Sequence, residues 1–447
     1  MTERAHTALP LKRVLGVPTA LFVGMGVAIG SGIFRAPGEV ADSLQAPWLI
    51  LLAWIVGGVF VLMAGMVTAE LSTRFPRAGG EYVYLREAYG EFVAFFFGWS
   101  YTVFIIGGGA AIIARAFGDF GCELLGVPAT WAGPIAAAAI VAVTGVNAVG
   151  LRTGAGFQNV LTGAKVLALL AIVVVGFTCG TEPIDFFASP PRTSTSSLLV
   201  LLSTGVIPVL WAYDGTTDSV KMAEEVRDVR RAMPRALIGS ALAITLLYVL
   251  VNVAFLRIMP AAEMAGLSSV PGEAMRRVFG PAGRTLMLAV AMLVFLGTLS
   301  STLLATIRVT FALARDGLAF RFMARMSKDQ APVPAFVVVA GFAMVLVLTR
   351  TFTEVLRVYF FAGVILFGLS YASLVVFRLR EAFFPPEVYR CPAGIFQAFT
   401  LITIQLALAI GLVLSNPWDA VYTTILLTVF GLLYFVWKRA SPVRSAG

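Results

Sequence analysis

The sequence predicts an all-α integral membrane protein with twelve transmembrane helices. Composition is the first reason. The 447 residues are 59% hydrophobic and 13% charged, whereas soluble domains carry about 25% charged and about 45–50% apolar residues. With a mean hydropathy of +0.90, lipid must replace water around much of the surface. The second reason is the recurrence of runs long enough to span a bilayer, which takes about 20 apolar residues. They fall at 14–43, 47–72, 92–120, 128–149, 157–179, 197–222, 234–258, 281–312, 334–350, 354–377, 395–414 and 419–437.

The third reason is charge asymmetry. With the N-terminus inside, the inner segments hold Arg4, Lys12, Arg13, Arg74, Arg77, Arg86, Arg152, the clusters Lys221–Arg235 and Arg308–Lys328, Arg378, Arg380, Arg390, Lys438, Arg439 and Arg444. The outer segments hold Arg35, Arg115, Arg192, Arg257, Arg276, Arg277, Arg284, Arg350 and Arg357. This inner excess is the positive-inside pattern and puts both termini in the cytoplasm. Shifting the topology by one span inverts the bias. The expected location is the cell (plasma or inner) membrane, multi-pass.

Several function classes fall away. The net charge of +9 comes from short basic clusters between apolar runs, which argues against a nucleic acid partner. Cys122, Cys179 and Cys391 are far apart, and the one histidine, His6, lies in a polar tail, so ligands for zinc or haem are lacking. No Walker motif or catalytic triad pattern is present, so neither an enzyme nor a cofactor is expected. The first apolar run has no small-residue cleavage site at its end and reads as a retained span.

That first span contains Gly24, Gly26, Gly30 and Gly32, with Pro37 beyond. Each glycine weakens a helix by about 1 kcal/mol relative to alanine. Close helix packing and a broken helix both explain such a run. The sixth span favours the break. It reads WAYDGTTDS from Trp211, placing Asp214 deep in a span, where a carboxylate on an intact helix costs about 2.5–3.5 kcal/mol. A helix interrupted at Tyr213–Gly215 accommodates it. Two breaks five spans apart enter the membrane from opposite sides, the pattern of inverted repeats with a midplane site. A half-helix beginning after Gly32 offers free N–H groups and a positive dipole end, which suit a carboxylate. Carbonyls freed near Trp211–Tyr213 suit an ammonium. Together they predict a carrier of a zwitterion, an α-amino acid.

Six segments carry a family resemblance over nearly the whole chain. They are GSGIF at Gly30–Phe34, AELSTRFPRAGGEYVYLREAYG at Ala69–Gly90 and NAVGLRTGAGFQNVLTGAK at Asn147–Lys165. WAYDG at Trp211–Gly215, EEVRDVRRAMPRAL at Glu224–Leu237 and ALARDGL at Ala312–Leu318 follow. In this order they resemble the amino acid–polyamine–organocation superfamily, and within it the bacterial relatives of L-type amino acid transporters. The resemblance implies a LeuT-like five-plus-five inverted repeat with discontinuous helices 1 and 6 and two extra helices. The expected division is a tail at 1–13, repeats at 14–180 and 195–378, helices 11 and 12 at 394–438, and a tail at 439–447.

The resemblance also implies a substrate site made of Ile29, Gly30, Ser31, Gly32, Ile33, Trp211, Ala212, Tyr213, Asp214 and Gly215. The carboxylate would sit on N–H groups around Ser31–Ile33 and the amine on carbonyls near Ala212 and Tyr213. Thr216 departs from the tryptophan of many relatives, and would leave a roomier or more polar pocket. Lys165, within the apolar run Leu161–Val175, falls where sodium-coupled relatives bind a cation, between helices 1, 5 and 8. Ser300, Ser301 and Thr302 are candidate oxygen partners. An ammonium there mimics the cation, so sodium-independent transport is expected; snorkelling is the plain alternative, and proton-coupled symport or uncoupled exchange remain open.

The remaining polar groups have simpler readings. Glu70 is expected to pair with arginines at the inner face, and Glu224, Glu225 and Arg231 to join an inner latch. Asp214 and Asp218 are the acidic groups that would serve the alternative function, transport of polyamines or other organic cations. Tyr359, Phe360 and Phe361 read as lipid or core contacts, or as a gate. The expected partners are a small-molecule substrate and the bilayer, with no obligatory protein partner.

Overall fold

The structure, a computed structural model, describes residues 13, 15–149, 154–186, 198–327, 331–381 and 386–440. Most of the expected tails, Arg152, Arg192, Lys328 and part of the motif after Asn147 lie outside the described residues. The described residues are helical, with no strand and one isolated parallel bridge between Leu15 and Val226.

The helices are α1 (Val17–Ala28), α2 (Ser31–Leu44), α3 (Pro47–Arg74), α4 (Glu81–Tyr89), α5 (Glu91–Leu125), α6 (Ala132–Val149) and α7 (Gly154–Cys179). They continue with α8 (Leu198–Tyr213), α9 (Val229–Ile258), α10 (Val270–Arg315), α11 (Val333–Thr349), α12 (Phe352–Arg380), α13 (Gly394–Ser415) and α14 (Pro417–Ala440). Among the described residues, nine helices are long and apolar enough to cross a bilayer, and the bent pair α1–α2 makes ten. The apolar helices α8 and α11 are shorter, at 16 and 17 residues. Val146, Val174, Leu246, Leu293, Val337 and Leu432 are each at least 60% exposed. Such a surface is stable only against acyl chains.

The first span is broken where its glycines cluster. Between α1 and α2 the axis bends by 45°. Ile29 leaves the helix at ψ 93°, and Gly30 is extended at φ −151°, ψ −145°. The second half-helix begins at Ser31, two residues earlier than a start after Gly32.

The sixth span is interrupted at the expected place, but its second half differs. α8 ends at Tyr213, Gly215 takes φ +85°, and Asp218–Glu225 continues as a 3₁₀ helix, not an α half-helix. In 3₁₀ geometry residues i and i+3 eclipse one another. That brings Lys221 onto Asp218, with which it forms an ion pair, and the pair favours the tighter winding.

Two further irregularities shape the bundle. A π-helical stretch at Tyr101–Gly107 sits inside α5. In α10, Gly280 at φ +70° precedes Pro281 and separates a short amphipathic stretch, 270–279, from the span itself. This stretch is capped by Ser269, whose hydroxyl accepts from Gly272 N at 3.1 Å.

Packing sets the breaks at the centre. α2 lies along α8, α3 along α9, and α1 against α7, α9 and α10. A Cβ on Gly32 would overlap the Ala212 backbone, so the two interrupted helices touch at their breaks only because residue 32 has no side chain. Both described ends of the chain meet one face of the bundle. There Leu15 N donates to Glu225 O at 3.0 Å, Glu225 pairs with Arg308 at 2.9 Å, and Trp437 Nε1 donates to Gly317 O at 3.1 Å.

Candidate functional site

The two breaks enclose a cavity at the middle of the bundle. Its wall includes Val27, Ala28, Gly30, Ser31 and Gly32 from the first break and Trp211, Asp214 and Asp218 from the sixth span. α5 adds Tyr101 and Ile105, α12 adds Tyr359, and α10 adds Thr298, Thr302 and Thr306. The three threonines recur every four residues, so one face of α10 lines the cavity. Tyr101 and Ile105 belong to the π-helical stretch of α5, a feature frequent at functional sites.

Freed backbone groups account for much of the local chemistry. Breaking a helix orphans the carbonyls of its last turn. Here three side chains cap those of α1. Lys165 Nζ donates to Gly26 O at 2.7 Å, Tyr248 Oη to Ala28 O at 3.0 Å, and Thr298 Oγ1 lies 2.8 Å from Ile29 O. Tyr248 Oη is equally close to Ala212 O, at 3.0 Å, so one hydroxyl bridges the carbonyl ends of both interrupted helices. Tyr213 O accepts from Thr216 Oγ1 at 2.6 Å. Tyr213 O therefore already holds a donor, Ala212 O shares the one Tyr248 proton with Ala28 O, and each keeps a further lone pair.

Of the ten expected site residues, Gly30, Ser31, Gly32, Trp211 and Asp214 line this cavity. Trp211 Nε1 donates to Ser31 Oγ at 3.2 Å, joining the two breaks through side chains. Tyr213 and Gly215 face a second cavity behind the sixth span, and Asp214 lines both. Ile29, Ile33 and Ala212 have no exposed surface and line neither cavity.

Lys165 is buried between α1 and α10 and does not snorkel. Its ammonium also donates to Thr298 Oγ1 at 2.8 Å. The neighbouring hydroxyls point elsewhere. Ser300 Oγ donates to Asn147 Oδ1 at 2.8 Å, and Ser301 Oγ to Gly297 O at 2.6 Å. The elements around Lys165 are those expected, but the side-chain oxygen is Thr298.

Polar contacts also join the helices towards both faces of the bundle. On the face that carries the chain ends, Lys221 pairs with Asp218 and lies 3.7 Å from Glu81, all three buried. Glu224 accepts from Ala78 N at 3.0 Å and pairs with Arg315 at 3.4 Å. Glu70 accepts from Arg74 at 2.9 Å and from Arg378 at 3.0 Å, an ion-pairing residue as expected, though fully buried. On the opposite face Arg35 joins Asp119 at 2.8 Å. Tyr359 is a wall residue, not a lipid contact: it stacks edge-on with Trp211 at 5.1 Å and donates to Asp214 Oδ2 at 2.5 Å.

Tyr248, Thr298 and Tyr101 were not singled out from the sequence. The usable signal was weak: a tyrosine inside an apolar span, whose hydroxyl needs a partner when buried, and threonines repeating at helical spacing.

Broken helices, a central cavity and an apolar exterior define a membrane transporter. The chain matches the amino acid permease family over residues 15–431. It is 28% identical to the b(0,+)-type amino acid transporter 1 of Homo sapiens over 435 residues, covering 95% of this chain and 88% of that protein. It is 32% identical to the serine/threonine exchanger SteT of Bacillus subtilis (strain 168) over 308 residues, 68% of each chain. Identity to the Asc-type amino acid transporter 1 of Mus musculus is 26%, covering 92% of this chain and 80% of that one. The chain belongs to the amino acid permease family, a family of membrane transporters and not of enzymes. It is an amino acid permease or exchanger, and these relatives do not favour the polyamine alternative.

Proposed function

We propose that the chain carries α-amino acids by alternating access, with the substrate backbone held between the two breaks, and that it does so without sodium. The observation that carries this reading is the shared cavity. The half-helix starting at Ser31 offers its N–H end to the same space that Trp211 and Asp214 line from the other broken helix. A helix N-terminus attracts a carboxylate through unpaired N–H groups and its dipole. On this reading Ser31, Gly32 and Ile33 receive the carboxylate. Ala212 and Tyr213, through their remaining lone pairs, and Asp214 receive the amine.

Sodium independence is supported by Lys165. Its ammonium occupies the space between the Gly26 carbonyl and Thr298, where an added cation would meet a fixed positive charge. The topology we infer has twelve spans, counting the shorter α8 and α11, in two inverted repeats at 14–180 and 195–378. α13 and α14 follow as extra helices. The face carrying the chain ends is read as cytoplasmic, from its excess of Lys and Arg, in a plasma or inner membrane. The carrier is read as acting alone. One relative is named a small subunit, the large neutral amino acids transporter small subunit 2 of Mus musculus, so copurification with a second chain is the direct check on that point.

Thermal stabilisation of the detergent-purified protein by a panel of amino acids and polyamines tests the substrate class. Stabilisation by one or more L-amino acids is expected. Stabilisation by spermidine alone would reject it.

A further inference from the structure

The second cavity shares a wall with the first. It lies behind the break of the sixth span, between α3, α8, α12 and α13. Asp214 and Tyr359 line both cavities. Asp214 is only partly buried, because it faces these internal spaces. The hydrogen bond from Tyr359 holds Oδ2 of Asp214.

The far wall is mostly apolar, with Phe60, Phe360, Phe367 and Leu210. It carries one polar group that the fold leaves unsatisfied. Gln405 of α13 lines this cavity at 7% exposure, and its Oε1 is buried without a hydrogen-bond partner. A buried amide oxygen without a partner costs about as much as a lost hydrogen bond, so native folds rarely keep one without a use. Gly368 of α12 is the neighbour that makes room for it; a Cβ there would stand 3.4 Å from Oε1.

We propose that this second cavity is the side-chain subsite of the carrier, and that it takes a long side chain ending in N–H donors. The methylenes would lie along Phe60, Phe360 and Phe367, and the terminal amide, ammonium or guanidinium would donate to Gln405 Oε1. The polarity follows from the group at the far wall: an unpartnered acceptor in a mostly apolar slot calls for a donor at the tip of an apolar stem. This rests on the reading of the first cavity as the backbone site. A backbone seated between Ser31 and Trp211 has Asp214 and Tyr359 beside it, and they form the entrance to the second cavity. Gln405 is thereby a specificity-determining residue.

Proteoliposome exchange of alanine, glutamine and lysine by the wild type and by Gln405→Leu tests the assignment. The ratio of the glutamine KM to the alanine KM should rise by about tenfold or more in the variant, the size of one buried polar contact, and the lysine ratio should rise with it. Gly363→Leu fills the same cavity from α12, where Gly363 lines it but not the first one; it should shift both ratios likewise, and it serves if Gln405→Leu does not fold. Ratios unchanged in the folded variants, or alanine and glutamine KM moving together, would overturn the assignment while the backbone site stands. A wild type that exchanges none of the three would take both readings down.

Discussion

The Lys165 ammonium donates to the Gly26 carbonyl at 2.7 Å, one turn before the break in the first span. A lysine on the fifth span is thus wired to the C-terminal end of a half-helix that borders the central cavity. The same ammonium reaches Thr298 of α10, so three helices meet at one charge. A positive group at a helix C-terminus is favoured by the dipole, and each charge-assisted bond contributes about 1.5–3 kcal/mol.

Replacing that lysine should therefore uncouple the three helices. Lys165→Ala leaves Gly26 O without its donor and is expected to destabilise the purified protein by about 1–3 kcal/mol. Exchange should fall about tenfold or more. Proteoliposome counterflow beside a thermal melt measures both. A variant with wild-type exchange would show that the ammonium is dispensable.

Gly32 supplies a second prediction. Its missing Cβ is what lets the interrupted helices touch at Ala212, so Gly32→Val should abolish transport and overpack the site by about 1–3 kcal/mol. Gly145, around which nothing lies within 4 Å, provides the control. Gly145→Ala should keep wild-type transport and gain up to about 1 kcal/mol of stability, alanine being the better helix former. Equal behaviour of the two variants in a substrate-induced melting shift would contradict the close approach.

The buried triad of Asp218, Lys221 and Glu81 predicts a charge effect. Lys221→Met leaves two carboxylates without their counter-charge and should cost about 3–5 kcal/mol. Adding Asp218→Asn to that variant should recover part of the loss, because one of the stranded charges is gone. Denaturation of the single and double variants decides it. A double variant less stable than the single one would mean that the charge balance of this triad does not stabilise the fold.

Much of this arrangement was legible in the residues, and the misses have a common cause. Glycine clusters and an aspartate within an apolar run marked both breaks, because backbone weakness and intramembrane charge are properties of single positions. The surroundings of Lys165 were legible only to the level of the helix. Ser300 was expected beside it, but an α-helix turns 100° per residue, so residue 300 stands well away from the face of residue 298. Thr298, Thr302 and Thr306 share the face turned to the cavity, while Ser300 meets Asn147. Which face of an apolar helix turns inward is decided by packing against the other helices, and a uniformly apolar run carries no phase to announce it. Tyr248 and Gln405 were hidden for the same reason. The 3₁₀ winding of Asp218–Glu225 depended on a side-chain pair whose formation required the fold.

The central claim is that this permease moves amino acids through the cavity between its two breaks without a sodium requirement. Counterflow of radiolabelled amino acids into proteoliposomes, measured with sodium and with choline as the sole added cation, tests it most directly. The account predicts uptake driven by internal unlabelled amino acid, equal in both salts and lost in Gly32→Val. Uptake that requires sodium, or that persists in Gly32→Val, would contradict it.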